Sequence, residues 1–266
     1  MKVTFLLISL LTVATLSGQD SVEGPRRRVS APIAFYDDAD ISTPGVLNVA
    51  EYFSYTKVPA GRDMSFPSTY LSVGLNRRIG VSASFSYARS QFEESRINAL
   101  GDALFRVKVL VTPEGKRRPG IALEPMVEVL GKASIADNPL APRRVNYVFP
   151  LVLQKSFESC RLYYMGGYLT RGIVFNSLAY ELNRWTRVTP VAIVSASWLT
   201  RELGFISELG LNRSRTDGVG GVVLAIRPGW SVFVNAGRSF GRVDLNSSRY
   251  QATIGLSFNV PLWSKK

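Results

Sequence analysis

The chain has 266 residues, 46% of them hydrophobic, with 22 Gly and 14 Pro; so many turn formers set an all-β fold as the expectation. It contains no histidine and a single cysteine, Cys160, which excludes a Ser-His-Asp hydrolase, His-ligated zinc, a His general base and an internal disulfide framework. The formal charge of +12 invites an acidic partner, but the hydrophobic content and the leader described next argue against nucleic acid as that partner.

Residues 1–19 read as a signal peptide. Lys2 is followed by an apolar run over residues 3–16 and then by Ser17-Gly18-Gln19, where cleavage is expected. The run is shorter than the ~20 apolar residues of a spanning helix, and no later stretch replaces it, so any membrane role falls to strands. Cys160 lies too far along the chain to be a lipidated first residue. Residues 20–45 are rich in Pro, Asp and Arg without periodicity, and read as either a periplasmic lead or a plug inside a barrel. Asp37, Asp38 and Asp40 in this stretch offer oxygen ligands for a divalent cation, though without the spacing of an EF-hand loop. No cofactor is expected.

From residue 46 to residue 260 the sequence divides into segments of about ten residues with period-two alternation, the signature of a transmembrane barrel strand. In residues 79–88, Ile79, Val81, Ala83, Phe85 and Tyr87 alternate with Gly80, Ser82, Ser84 and Ser86, which places the small and polar set toward a lumen. Similar patterns occupy residues 47–55, 70–76, 103–111, 121–130, 145–155, 161–170, 188–198, 203–212, 221–227, 231–237 and 250–259. The expectation is therefore an antiparallel up-and-down barrel of about twelve strands with a tail over residues 261–266. Short turns are expected at 76–78, 112–119, 156–159, 200–202 and 228–229. Longer loops are expected at 59–67, 90–99, 132–144, 171–187, 213–218 and 240–248, which puts both termini on one side.

Two features resist this scheme. Glu51 shares its parity with Val49, Phe53 and Tyr55, so it faces lipid unless the first strand is bulged or Glu51 lies at the membrane boundary. The stretch 171–187 carries Ile173, Val174, Phe175, Leu178 and Tyr180, which is apolar for a loop and points to strand extensions or to an inward fold.

The inward face of the fourth and fifth strands carries Arg106, Lys108, Glu124 and Glu128. Pairing across the turn sets Lys108 opposite Glu124 with Arg106 diagonal to both carboxylates, a salt-bridge ladder that either satisfies lumen charges or screens solutes by charge. The arginine and lysine runs 26–28, 77–78, 116–118 and 143–144 fall between candidate strands and read as solvated loop charge. Gly218-Val219-Gly220-Gly221 lacks phosphate-loop spacing and reads as strand-entry glycine. Tyr163, Tyr164, Tyr168, Trp185, Trp198, Trp230 and Trp263 fit an interfacial girdle.

In the last strand, Thr253, Gly255, Phe258 and Val260 reproduce the polar-x-Gly-x-x-hydrophobic-x-hydrophobic signal read by the barrel-assembly machinery, although the chain runs six residues beyond it. The sequence Val-Asn-Ala-Gly-Arg-Ser-Phe-Gly before the final turn and Ile-Gly-Leu-Ser-Phe near the end, with Leu100-Gly101-Asp102, resemble the outer-membrane transporter-like family named for the meta-pathway of phenol degradation. That resemblance implies a barrel passing small, often aromatic or hydrophobic, molecules and assigns no catalytic residue. The reading is a non-enzymatic outer-membrane channel of a Gram-negative-type bacterium, partnered by lipid, the assembly machinery and an unidentified small or anionic solute. Its alternative is a closed structural or adhesive barrel that works through its loops. A lipid-modifying enzyme stands third, for want of a histidine.

Overall fold

The computed structural model describes residues 38–59, 61–92, 95–133, 144–170, 172–200, 213–241 and 247–262. They form one sheet of fourteen antiparallel segments. These are β1 (Val46–Val58), β2 (Gly61–Gly74), β3 (Ile79–Phe92), β4 (Ser95–Leu100), β5 (Ala103–Thr112), β6 (Gly120–Leu123), β7 (Met126–Val129), β8 (Val145–Ser156), β9 (Cys160–Leu169), β10 (Ile173–Leu182), β11 (Val188–Leu199), β12 (Ser214–Arg227), β13 (Trp230–Phe240) and β14 (Tyr250–Pro261).

β4 and β5 both pair with β3, and β6 and β7 both lie between β5 and β8. Each pair is thus one barrel strand, interrupted at Gly101-Asp102 and at Glu124-Pro125, and the barrel has twelve. It closes where β1 meets β14 over twelve residue pairs, from Val46 opposite Pro261 to Lys57 opposite Tyr250. Closure removes the unpaired edges an open sheet would present. Among the described residues no helix is long and apolar enough to cross a membrane.

Both ends of the barrel chain, Val46 and Pro261, lie at one rim. The connections there span 75–78, 113–119, 157–159, 183–187 and 228–229. At the far rim three are longer, 130–144, 200–213 and 241–249, while 59–60, 93–94 and 170–172 span only two or three residues. The strands therefore reach further than alternation alone indicates. Residues 61–67, 95–99 and 214–218 belong to strands rather than to loops, and 200–202 only opens a long connection. The apolar stretch 173–182 is strand β10, paired with β9 and β11. Residues 203–212, expected as a strand, lie outside the described residues, as does the leader.

The outer wall is apolar. Phe53, Phe85, Phe105, Phe149, Leu178 and Ile254 are all exposed, as side chains solvated by hydrocarbon must be. Trp230 stacks on Phe258 at 5.0 Å near the terminal rim, with the Arg227 guanidinium 4.3 Å from the Trp230 centroid. Tyr55 stacks on Tyr250 at 5.7 Å toward the other rim. Tyr163 departs from the girdle expectation, for it points inward and is 2% exposed.

Candidate functional site

The inner wall has two unlike halves. On β1 to β3, Ser72 pairs with Ser82, Tyr70 with Ser84, Ser68 with Ser86 and Gly74 with Gly80, so the inward row there is mostly hydroxyl and glycine. The hydroxyls of Ser82, Ser84 and Ser86 enter no hydrogen bond among the described residues. On β8 to β13 the inner face carries two packed apolar clusters set among buried polar residues such as Asn146, Gln154, Ser177, Thr189, Asp217 and Asn235. Ala179, Val191, Ile193 and Phe233 pack with Tyr163, and Val148, Val152, Met165 and Phe175 form a second cluster with Ala122 and Met126. A side chain facing a water-filled pore stays wet, yet Val152 is 0%, Phe233 1% and Ser257 1% exposed. The lumen is packed at those levels.

Residues 38–45 run across this lumen beside the terminal rim as a strap. At one end the strap follows β1–β3. Asn48 Nδ2 donates to Ser42 Oγ at 2.8 Å, Ser42 and Ser72 hydroxyls lie 3.3 Å apart, and the Gly45 N–H donates to the Gly74 carbonyl at 3.3 Å. A Cβ on Gly74 would collide with the Ser42 carbonyl, and one on Gly80 would stand 3.5 Å from Ile41 Cγ2. The opposed glycines therefore form a floor without side chains on which the strap lies, which explains the inward glycine of β3. Ala39 and Ile41 are buried.

At its other end the strap is held by β5, β8 and β9. The Lys108 ammonium donates to the Asp38 carbonyl at 2.8 Å and lies 3.4 Å from Asp38 Oδ1. Gln154, nearly fully buried, accepts from the Ala39 N–H at 3.0 Å and donates to Asp40 at 3.2 Å and to Glu114 at 3.1 Å. Arg161 lies 3.8 Å from Asp40. Asp38 and Asp40 thus face cations of the wall, and among the described residues no group of side chains has the makings of a metal site; Asp37 lies outside them.

The four expected ladder charges share the inner face of β5 to β7 but divide their partners differently. The register sets Lys108 across from Glu124, yet its ammonium goes to Asp38. Arg106 approaches Glu124 at 3.8 Å and sits 5.7 Å from the centre of the Tyr70 ring, while Glu128 accepts from Asn146 at 2.9 Å. Glu124 is 1% exposed. Gly74 and Gln154 are the site residues that sequence reasoning did not single out, and Asp38, read there as a cation ligand, is instead the partner of Lys108; only the inward parity of Gln154 hinted at its place.

Below the strap, Glu114 in the 113–119 connection accepts from the Ser156 N–H at 2.6 Å, Ser156 Oγ at 2.9 Å and Gln154, with Lys155 at 3.7 Å. Burial alone raises its pKa. The hydrogen bonds and the ammonium outweigh that and hold it below the ordinary carboxylate value.

The outer wall has a furrow of about 540 Å³ running over β1 to β8. Its floor follows one hydrogen-bonding row from Leu47 through Val73, Val81 and Val107 to Pro125, flanked by Phe105 and Phe149, and Arg106 reaches it from the lumen side. Pro125 and Pro150 have no N–H to give, so the wall lacks two ladder bonds at the head of the furrow, next to Arg106 and Glu124.

No family model and no curated protein matches the sequence. Solved structures do match. An outer-membrane channel from Pseudomonas putida F1 is similar over 88% of this chain and 100% of its own, with TM-score 0.62 and 8% identity. The NanC porin is similar over 80% and 98%, with TM-score 0.55 and 10% identity. The KdgM porin is similar over 79% and 98%, with TM-score 0.54 and 8% identity. The fold is that of the outer-membrane β-barrels. At these identities the likeness is one of architecture, and the meta-pathway family is not reached by it.

Proposed function

We propose that the protein is an outer-membrane channel that passes small solutes by passive diffusion, with its periplasmic mouth closed by residues 38–45. The carrying observation is the strap itself, seated between β1–β3 and β5–β9 on the rim that holds both ends of the barrel chain. The barrel neighbours and the short connections at that rim support the periplasmic assignment. With the inner cations facing carboxylates or the strap, the excess of positive charge is left to the connections, and the lumen suits a neutral solute with an apolar face better than an anion. This accords with the small hydrophobic or aromatic solutes implied by the resemblance to the meta-pathway group, and leaves the protein no catalytic role. Residues 20–45 together act as the plug, residues 1–19 are removed on export, and the machinery that inserts barrels reads Thr253, Gly255, Phe258 and Val260.

The test is single-channel conductance in planar bilayers of the mature chain and of a chain lacking residues 20–45. The full chain stays mostly closed and the deleted one conducts, with similar permeability for anions and cations. Absence of conductance from both sinks the channel reading.

A second route has its own observation. The furrow and the two missing ladder bonds at Pro125 and Pro150 favour lateral release of an apolar solute into the bilayer through the wall beside Arg106 and Glu124. Val107→Trp fills the furrow and blocks uptake of an apolar solute into proteoliposomes while sparing conductance. Unchanged uptake removes this route.

A further inference from the structure

Glu51 stands in the apolar band of the outer wall. Its neighbours in β1, Ala50 and Tyr52, belong to the lumen cluster, so Glu51 faces lipid together with Leu47, Val49, Phe53 and Tyr55. Two apolar residues separate it from either end of the band, and Leu256 lies across from it on β14. β1 keeps an unbroken register with β14 here. The irregularity that a lipid-facing glutamate leads one to expect lies in β2, whose ladders to β1 and to β3 both slip between Ser65 and Ser68.

The only hydrogen bond the Glu51 carboxylate makes among the described residues comes from the Thr69 hydroxyl at 2.7 Å, and it enters no ion pair among them. One hydroxyl does not satisfy two carboxylate oxygens, and an ionisable group at this depth is costly in hydrocarbon. Around it the slip in β2 exposes Phe66, 6.5 Å from Phe53, while Phe85 is exposed across from Thr69. A carboxylate among aromatic rings suits an ammonium, whose N–H groups bond the oxygens while its charge is drawn to the ring faces. Lipid amine head groups stay at the interface, so the ammonium that reaches this depth is carried on an apolar body.

We propose that Glu51 and Thr69, rimmed by Phe53, Phe66 and Phe85, form a lipid-side binding site for a lipophilic amine, an alkyl- or arylalkylammonium dissolved in the bilayer. The site rests on the membrane-spanning reading of the barrel and is independent of whether solutes cross the lumen.

The experiment measures binding of dodecylamine, with dodecanol as the uncharged control, to the mature protein in vesicles of zwitterionic lipid. Dodecylamine binds saturably, E51Q weakens it about tenfold or more and T69V about threefold, and dodecanol shows no saturable binding. Dodecylamine binding that is unsaturable, or unchanged in E51Q, or matched by dodecanol, overturns the site. Heat-dependent gel mobility reports folding of each variant, and E51Q keeps it because it removes a charge from the lipid face. A wild-type chain with no such mobility shift would strike at the barrel reading itself, a failure separate from that of the site.

Discussion

The ammonium of Lys108 bonds Asp38 on the strap, although the register of the wall sets it across from Glu124. A wall cation has thus been drawn from a wall carboxylate to hold a segment that crosses the lumen. Lys108→Met removes the contact with little loss of bulk and raises the open probability toward that of the chain lacking residues 20–45. The lost charge-assisted bond costs about 1.5–3 kcal/mol of strap seating, or roughly ten- to a hundredfold in the closed-to-open ratio. Single-channel recording checks it, and recordings indistinguishable from wild type would remove Lys108 from the latch.

Glu114 gives the terminal rim a pH dependence. Its folded pKa lies below the ordinary value of 4.5, so its hydrogen bonds contribute fully above that value, and the contribution is lost as pH falls through the folded pKa. Thermal midpoints read from heat-dependent gel mobility should fall for the wild type on acidification below about pH 4.5. E114Q should lie lower at neutral pH and fall less over the same interval. Parallel curves would show that other carboxylates govern acid sensitivity.

Gly255 is needed for lumen packing as well as for any assembly signal. A Cβ there would strike the Phe233 ring and approach Tyr52 Cβ to 2.6 Å and the Glu51 carbonyl to 2.8 Å. Gly255→Ala should destabilise the barrel by about 1–3 kcal/mol, as overpacking does. Adding Phe233→Leu should recover only part of it, because the backbone carbonyl cannot move aside. Full recovery would show the ring to be the sole obstacle. Thermal midpoints of the three variants separate the cases.

Trp230 and Phe258 can be tested as a pair. A double-mutant cycle to alanine, measured by reversible unfolding in urea, should give a coupling of about 0.5–1.5 kcal/mol. A coupling near zero alongside a large assembly defect for Phe258→Ala alone would assign Phe258 to recognition by the insertion machinery rather than to packing.

How much of this was legible in the sequence depended on what each strand faces. In β3 the lumen side is Gly80, Ser82, Ser84 and Ser86, so alternation is plain and the strand was found. In β10 the lumen side includes Phe175 and Ala179, packed in the two inner clusters, while Leu178 and Tyr180 face lipid. Apolar residues on both faces erase the period of two, and the strand reads as an odd apolar loop. The count of twelve agrees although its membership differs, for the expectation included 203–212 and omitted β10. The lumen charges were legible by parity, since Arg106, Lys108, Glu124 and Glu128 do share one face. The approach of Arg106 to Glu124 follows the expected diagonal, but the partner of Lys108 was not legible, because Asp38 lies 70 positions away and meets it only once the strap crosses the lumen. Strand ends were missed where two-residue connections at 59–60 and 93–94 stand in place of longer loops, for nothing local in Arg62 or Ser90 marks a strand that runs on past the apolar alternation.

The strap leaves the barrel wall at Val46, beside the seam with β14, yet its anchors Lys108, Gln154 and Arg161 stand on the opposite wall. Residues 41–45 can lie on β1–β3 once those strands have paired, but residues 38–40 have nothing to seat against until the wall as far as β9 has curved round to face them. Docking of residues 38–40 is therefore a later event than the pairing of β1–β3, and their protection from protease reports a wall curved into a cylinder rather than mere insertion of its strands. A sheet arrested before its wall has curved round would remain cleavable there, which makes this short segment a built-in marker of the order in which the molecule is put together.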